Sequence, residues 1–459
     1  MANTSLTRTM GTPTSRKKFT ISVWVKRTKI TLSNAQHIWN GYYSADNRLV
    51  IYFQNGANDA LGFYNVAGGS ATANLQTNRQ FRDTHAWYHI YYAVDTTQST
   101  SSDRVKLYIN GQQETSFSTA SYPSQDVNLT FASGYTNLIG NYGGSNNFFE
   151  GLMSHFYYVD GSVIAHTEFG STDTTTGEWK INTDPTISSY GTNGFLILKD
   201  GNTITDQSPN SNDFTSNGVG VTKTEDNPSN VFATFNPLTK WSGQNKTPSQ
   251  VLNKGNLTTG IGSSEKALLL STIGVTSGKY YWEAKSDGVS KLFFGFSNRL
   301  VFDTSSDPHS QSGYNGVYYY EGTPDFRTYG SNTSTTGIAS ITTGDILGFA
   351  LDMDNHAFYI HKNGTYMNSG DPTSGSSRTG SIAELFTYGR NCLSDYDEVF
   401  ASAYVTSTSG SGTASFNFGN GYFGTTAVSS AGTNASGIGI FEHNVPAGYT
   451  ALSTKGLNE

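Results

Sequence analysis

The sequence has a single cysteine, Cys392, so no intrachain disulfide can staple the chain and its stability must come from packing. Charge is scarce as well, at 14% of residues against about 25% in an ordinary globular protein. The 28 Lys and Arg are outnumbered by 35 Asp and Glu, and a net charge of −7 leaves no basic face for nucleic acid. The one basic run, Arg16-Lys17-Lys18 with Lys26 and Arg27 beyond it, reads as a charged strand edge that blocks unwanted pairing. No stretch approaches the roughly 20 apolar residues of a membrane span, which argues against membrane insertion. The opening MANTSLTRTMG lacks the apolar centre of a signal peptide. Gly, Ser, Thr and Asn, which favour turns over helices, fill the space that charge has left. With 28 Tyr, 27 Phe and 6 Trp the composition is that of a large, aromatic, turn-rich all-β protein.

Period-two alternation organises the chain. In FTISVWVKR, Phe19, Ile21, Val23 and Val25 share one face; in WYHIYYAVD, Tyr88, Ile90, Tyr92 and Val94 do so. RVKLYINGQ places Val105, Leu107 and Ile109 inward and then turns at Asn110-Gly111, the strongest short hairpin signal. A second such turn, Asn363-Gly364, follows HAFYIHK, and KYYWEAKSD, KLFFGFSN, GVYYYEG, DILGFALDMD and ASFNFGNG read as further strands. The expected fold is therefore two antiparallel, jelly-roll-like β-sandwich domains, at 1–221 and 257–440. A Pro- and Asn-containing connector at 222–256, packed through Phe232, Phe235 and Trp241, and a tail at 441–459 complete the division.

The chemistry of catalysis is hard to find. GNGYFG fits the glycine spacing of a dinucleotide loop but no helix follows to hold phosphates. There is no Walker loop, no His-Glu-x-x-His and no Cys pair, and His85 and His89 sit on strand-like sequence. A glycosidase on such a sandwich needs two converging carboxylates, yet no Glu-x-Asp-x-Glu run occurs. The nearest cluster, Asp395, Asp397 and Glu398, reads as a solvated loop. STDTTTGEW resembles an Asp-box turn only superficially, its Gly and Trp being displaced. No catalytic residue, resident cofactor or metal is expected. Calcium is the metal whose ligand chemistry best fits the strand-end acids Asp95, Asp103, Asp160, Asp352 and Asp354, each of which equally suits a turn cap.

The excess of tyrosine points to binding, because a flat ring with one hydroxyl suits glycans and protein surfaces. Three aromatic clusters fall in loop-like sequence: WNGYYSADN, GNYGGSNNFF and GVYYYEGTPDFRTYG. They nominate Trp39, Tyr42, Tyr43, Asn141, Tyr142, Asn146, Tyr318, Tyr320 and Tyr329 as ligand contacts. The alternative use of these rings is to cover interstrand or subunit surface.

Two segments carry resemblances to known families. The series TISVWVKR, AWYHIYYAVD, RVKLYINGQ and GLMSHFYYVDG resembles a laminin-G-like, concanavalin A-like lectin domain. In the second half, Tyr281-Trp282-Glu283 and the hairpin of Leu351, Asp352, Phe358, Asn363 and Gly364 resemble a SPRY domain. With NVFATFNPL between them and VPAGYTALSTKGL at the end, the combination is similar to virion proteins of tailed, often marine, bacteriophages. That resemblance implies a non-catalytic tail-fibre or head-surface adhesion protein, assembled in the host cytoplasm and carried on the extracellular particle. Its implied partners are other virion proteins and a host cell-surface glycan or protein. A homo-oligomer, by analogy a trimer, is the implied assembly. The rival expectations are a purely architectural adaptor or decoration protein and a polysaccharide depolymerase.

Overall fold

The computed structural model describes residues 4–143, 147–199, 204–218, 220–222, 224–239, 245–262, 264–287, 291–298, 316–320, 325–328, 331–333, 339–382, 398–406 and 412–458. Almost every regular element is a strand, and the α-helix among the described residues is one turn, Pro248–Val251. The chain divides into two compact units, Met1–Lys223 and Thr224–Glu459.

In the first unit an eight-stranded antiparallel sheet runs in the order Phe117–Ser121, Ser70–Gln80, Ala60–Ala67, Asn47–Phe53, Gln36–Ser44, Thr136–Ile139, Ser5–Thr9, Thr215–Asn217. A six-stranded sheet runs Phe195–Ile197, Gly151–Asp160, Lys18–Arg27, Tyr88–Asp95, Val105–Ile109, Gln112–Glu114. Between them lies the core, and the expected inward sets Phe19/Ile21/Val23/Val25, Tyr88/Ile90/Tyr92/Val94 and Val105/Leu107/Ile109 all pack in it. Asn110 and Gly111 take φ values of 48° and 76°, as their hairpin requires. The far face of the six-stranded sheet is covered too. Tyr91, Tyr157, Phe169 and Leu196 form a second apolar layer there, with Ile164, Ile187 and Tyr190 packed on it. Burial on both faces explains why Thr20, Ser22 and Trp24, opposite the core set, are also buried.

STDTTTGEW forms no Asp-box but a hairpin of Gly170–Thr172 with Trp179–Ile181, turned by Asp173, whose carboxylate accepts the Thr175 and Thr176 amides. Trp179 donates through its indole N–H to His89 Nδ1 at 3.0 Å, and the His89 ring is stacked with both Trp24 and Trp179. Having accepted at Nδ1, His89 donates from Nε2 to Ser22 Oγ at 2.8 Å, and burial pushes its pKa down to about 3.

The second unit has its own pair of sheets. One runs Leu252–Asn253, Thr258–Ile261, Gly412–Asn417, Lys279–Ser286, Ile346–Asp352, Ala357–Lys362, Thr365–Tyr366, with Thr450–Ala451 pairing in parallel beside Lys279–Ser286. The other runs Lys266–Val275, Val399–Thr406, Lys291–Asn298, Gly316–Tyr320, Asp325–Thr328, Ser331–Thr333. Trp282, Phe294, Phe296, Phe349, Phe358 and Phe416 are central to the core between them.

Two expected boundaries shift. Phe235 of the expected connector meets Phe416 edge-on at 4.5 Å in the main core, and Phe232 bridges to Ser453. The expected tail supplies Phe441, Val445, Tyr449 and Ala451 to a buried cluster on the outer face of the Lys279–Ser286 sheet. Both segments belong to the second unit because its sheet would otherwise expose apolar surface. Trp241 lies outside the described residues.

Candidate functional site

In the first unit the ladder register fixes which side chains leave the core. Tyr42 stands opposite Arg48, Val50 opposite Tyr64, Tyr64 opposite Asn74, and Gly62 opposite both Tyr52 and Gln76. Their neighbours Leu49, Ile51, Phe53, Phe63 and Leu75 point inward. Tyr42, Arg48, Tyr52, Tyr64, Asn74 and Gln76 thus share the outer face of the eight-stranded sheet, all partly exposed.

A polar hinge holds a loop across this face. Asn40, fully buried, donates its amide N–H to the Asn141 carbonyl and accepts at Oδ1 from His37 Nδ1 at 2.9 Å. His37 is buried, and burial pulls its pKa down to about 4, so it is neutral at physiological pH and carries its proton on Nδ1. Asn141 in turn accepts the Tyr142 amide through its own side chain. Tyr142 comes to rest with its ring 4.8 Å from His37 and edge-on to Tyr42 at 5.2 Å. Gly143 takes φ 54° there, where a Cβ would sit 2.9 Å from the Tyr42 ring.

His37 also stacks on Tyr52 at 5.2 Å and 15°. The Arg48 guanidinium lies 5.5 Å from the Tyr64 centroid and 5.7 Å from that of Tyr142. Hydrogen bonds tie Tyr52 to Gln76 and Gln54, while burial outweighs them and raises its pKa. Asn74 Oδ1 is sealed from solvent without a hydrogen-bond partner among the described residues. The result is a shallow platform of four tyrosines, one guanidinium and a row of amides. Such a surface can stack flat ring faces and hydrogen-bond hydroxyls. The side chains named here include no carboxylate, the group from which a glycosidic acid–base pair is built.

The sequence candidates separate accordingly. Tyr42 and Tyr142 are brought together on the platform. Tyr43 is 66% exposed and stacks on Tyr135 at 5.1 Å, apart from these contacts. Trp39 is a correction: it is fully buried in the core, where its indole N–H donates to Asn137 Oδ1 at 2.8 Å. A register shift between His37 and Trp39 turns both Ile38 and Trp39 inward. WNGYYS is therefore strand, not loop. Asn141 is buried as well and acts by fixing Tyr142, not by presenting its amide to a ligand. Tyr318 and Tyr320 lie on the Gly316–Tyr320 strand, with side chains outside the described set, as are residues Asn146 and Tyr329. Arg48, Tyr52, Tyr64, Asn74 and Gln76 were not nominated from sequence, although the alternation of NRLVIYF, LGFYNV and ATANLQT carries them outward.

The strand-end acids serve as turn caps and ion-pair partners. Asp160 accepts the Thr14, Ser15 and Asn193 amides, Asp95 the Thr97 amide and Lys18, Asp103 pairs with Lys106, Asp352 with Lys279, and Asp354 accepts the Gly278 amide. Among the described residues no three His, Cys, Asp or Glu side chains group to hold a metal. Residues Asp395 and Asp397 lie outside the described residues.

Residues 2–165 match the Concanavalin A-like lectin/glucanases superfamily. This stretch contains the whole platform and supports the laminin-G-like resemblance of the first half. No curated protein matches the sequence. Among solved structures, the SPRY domain of human HERC1 aligns at 18% identity, covering 40% of this chain and 96% of that one with a TM-score of 0.29. The TRIM65 PSpry domain aligns at 11% identity over 40% of this chain and 89% of its own, TM-score 0.27. A heptameric SAP-like pentraxin from Limulus polyphemus aligns at 15% identity over 36% and 72%, TM-score 0.26. These likenesses concern fold.

Proposed function

We propose that the chain is a non-catalytic adhesion protein of a virus particle, whose first unit grips a host surface glycan on the tyrosine–arginine platform. The observation that carries this reading is the convergence of Tyr42, Tyr52, Tyr64 and Tyr142 with Arg48 on one open sheet face. Laminin-G-like and SPRY-like folds are typically binding modules, which fits a role without chemistry. A shallow face grips each sugar weakly, and many copies on a particle supply avidity. The virion setting rests on the sequence resemblance, and an oligomer would present several platforms at once.

A glycan array probed with polyvalent protein tests the reading. Binding to a defined glycan set that is lost on Tyr64→Ala and Arg48→Ala supports it. No binding at high valency favours the architectural adaptor instead, and release of reducing ends would favour the depolymerase.

A further inference from the structure

All but one of the arginines in the first unit are tied to an oxygen of the chain. Arg8 donates to the Asn193 and Asn212 side chains, Arg16 to the Leu129 carbonyl, and Arg104 to the carbonyls of Gln98, Ser99 and Pro123. Arg27 and Arg82 pair with Asp59, and Arg79 pairs with Glu114. Arg48 is the exception: its guanidinium makes ring contacts but no hydrogen bond and no ion pair among the described residues. Its five N–H donors are left to solvent or to a ligand.

The group is nevertheless held in place. Arg48 stands in the ladder between Tyr42 on one strand and Val66 on the next, half-buried, and its guanidinium lies over the rings of Tyr64 and Tyr142. Tyr142 belongs to the loop that the buried Asn40 and His37 pin to the sheet, so its ring is fixed by hydrogen bonds beneath the surface residues. A side chain ordered in this way loses less freedom when a ligand arrives.

The charge around it is of one sign. Burial and Arg48 together pull the His37 pKa down, and Arg48 opposes the rise that burial gives Tyr52 and Tyr142. Asp46, the acid nearest in sequence, sits exposed on the turn and forms no ion pair among the described residues. Most of the chain's net charge of −7 falls on the second unit, so the first does not repel an anion.

On the footing of the glycan-binding reading above, we propose that the platform selects a sugar bearing a carboxylate. The Arg48 guanidinium takes up that group through two parallel N–H···O bonds, while the sugar ring lies against Tyr64 or Tyr142. A planar fork of donors matches a planar carboxylate. The platform side chains include no second cation, which does not suit a densely sulfated chain, because such a chain calls for a basic cluster.

An array of acidic polysaccharides printed beside their carboxyl-reduced forms, probed with the full chain in polyvalent form, tests it. Carboxylated members should be held at least about tenfold more tightly than their reduced counterparts. Arg48→Gln should erase that preference, and Arg48→Lys, which keeps the charge without the fork, should recover only part of it. Equal binding of the reduced forms, lost in Tyr64→Ala, would overturn the carboxylate assignment and leave the platform standing. A preference untouched by Arg48→Gln, or tighter binding of dextran sulfate than of any carboxylated member, would overturn it too. Binding to nothing on the array would overturn both readings. If Arg48→Gln destabilises the first unit, the comparison of acidic with reduced glycan on the unaltered chain decides.

Discussion

The Asn47–Phe53 and Ala60–Ala67 strands, which carry Arg48, Tyr52 and Tyr64, are joined through Asp59, and that residue is the most consequential place to perturb the platform's frame. Asp59 is fully buried at φ 42° and its carboxylate meets Arg27 Nη2 at 2.9 Å, Arg82 Nε at 3.4 Å and the Thr31 amide at 3.1 Å. Arg27 is itself 1% exposed, with Nη1 donating to the Phe81 carbonyl at 2.6 Å and its guanidinium 4.4 Å from the Phe53 ring. Burial lowers the Arg27 pKa and Asp59 opposes that shift, so the charge is kept inside by its partner. Asp59→Asn suits the left-handed backbone and keeps an acceptor for Thr31, but strands a buried cation. Breaking such a pair costs about 3–5 kcal/mol, and the surviving Phe81 and Phe53 contacts put this case near 3. Adding Arg27→Met should restore all but about 1–2 kcal/mol, because both charges then go together. Urea unfolding followed by hydrogen exchange on peptides from residues 36–80 reads this unit alone. A loss below about 1 kcal/mol for Asp59→Asn, or single losses that simply add in the double variant, would refute the reasoning.

Glu283 gives a pH signature in the second unit. Burial raises its pKa to about 7 against 4.5 unfolded, despite four donors. The folded state therefore binds the proton more tightly, and the group's stabilising contribution is full below pH 4.5 and is lost as pH rises through about 7. Hydrogen exchange of the 441–452 segment should slow as pH is lowered from 8 to 5 after correction for intrinsic rates, and Glu283→Gln should flatten that trend. A trend unchanged by Glu283→Gln would assign it to another group. Gly348→Ala would put a Cβ 1.9 Å from His361 Nε2, so it should displace that ring and destabilise the unit by about 2 kcal/mol, measured by urea midpoint. Trp179→Ala removes the stack on His89 and should lower first-unit stability by roughly 2 kcal/mol in the same measurement, less than for a fully buried Trp.

The strands were legible wherever apolar residues alternate with polar or small ones, even where a second layer covers the other face as well. FTISVWVKR, RVKLYINGQ and HAFYIHKNG declare both their inward residues and their turns, and both Asn-Gly pairs take the positive φ values their hairpins need. Trp39 misled because the Asn and Gly of WNGYYS signal a loop where the chain stays in strand, and a bulge at Ile38, which has no composition of its own, lets Ile38 and Trp39 both face the core. The reach of the second unit was hidden for another reason. Phe232, Phe441 and Tyr449 lie in short Pro- and Gly-broken stretches without a period, and their partners are distant in sequence: Glu283 receives the Glu442 and His443 amides across about 160 residues. Of the platform, Tyr42 and Tyr142 could be picked out as tyrosines, whereas Arg48, Tyr64 and Asn74 become a set only once three strands are in register.

Locating a bound oligosaccharide on the protein, by hydrogen-exchange footprinting or a crystal soaked with the strongest glycan from an array, tests the adhesion account most directly. Protection or density over residues 48–52, 62–76 and Tyr142, absent in Tyr64→Ala, is the predicted result. A sugar seated anywhere else on the chain, with that sheet face left bare, would contradict it.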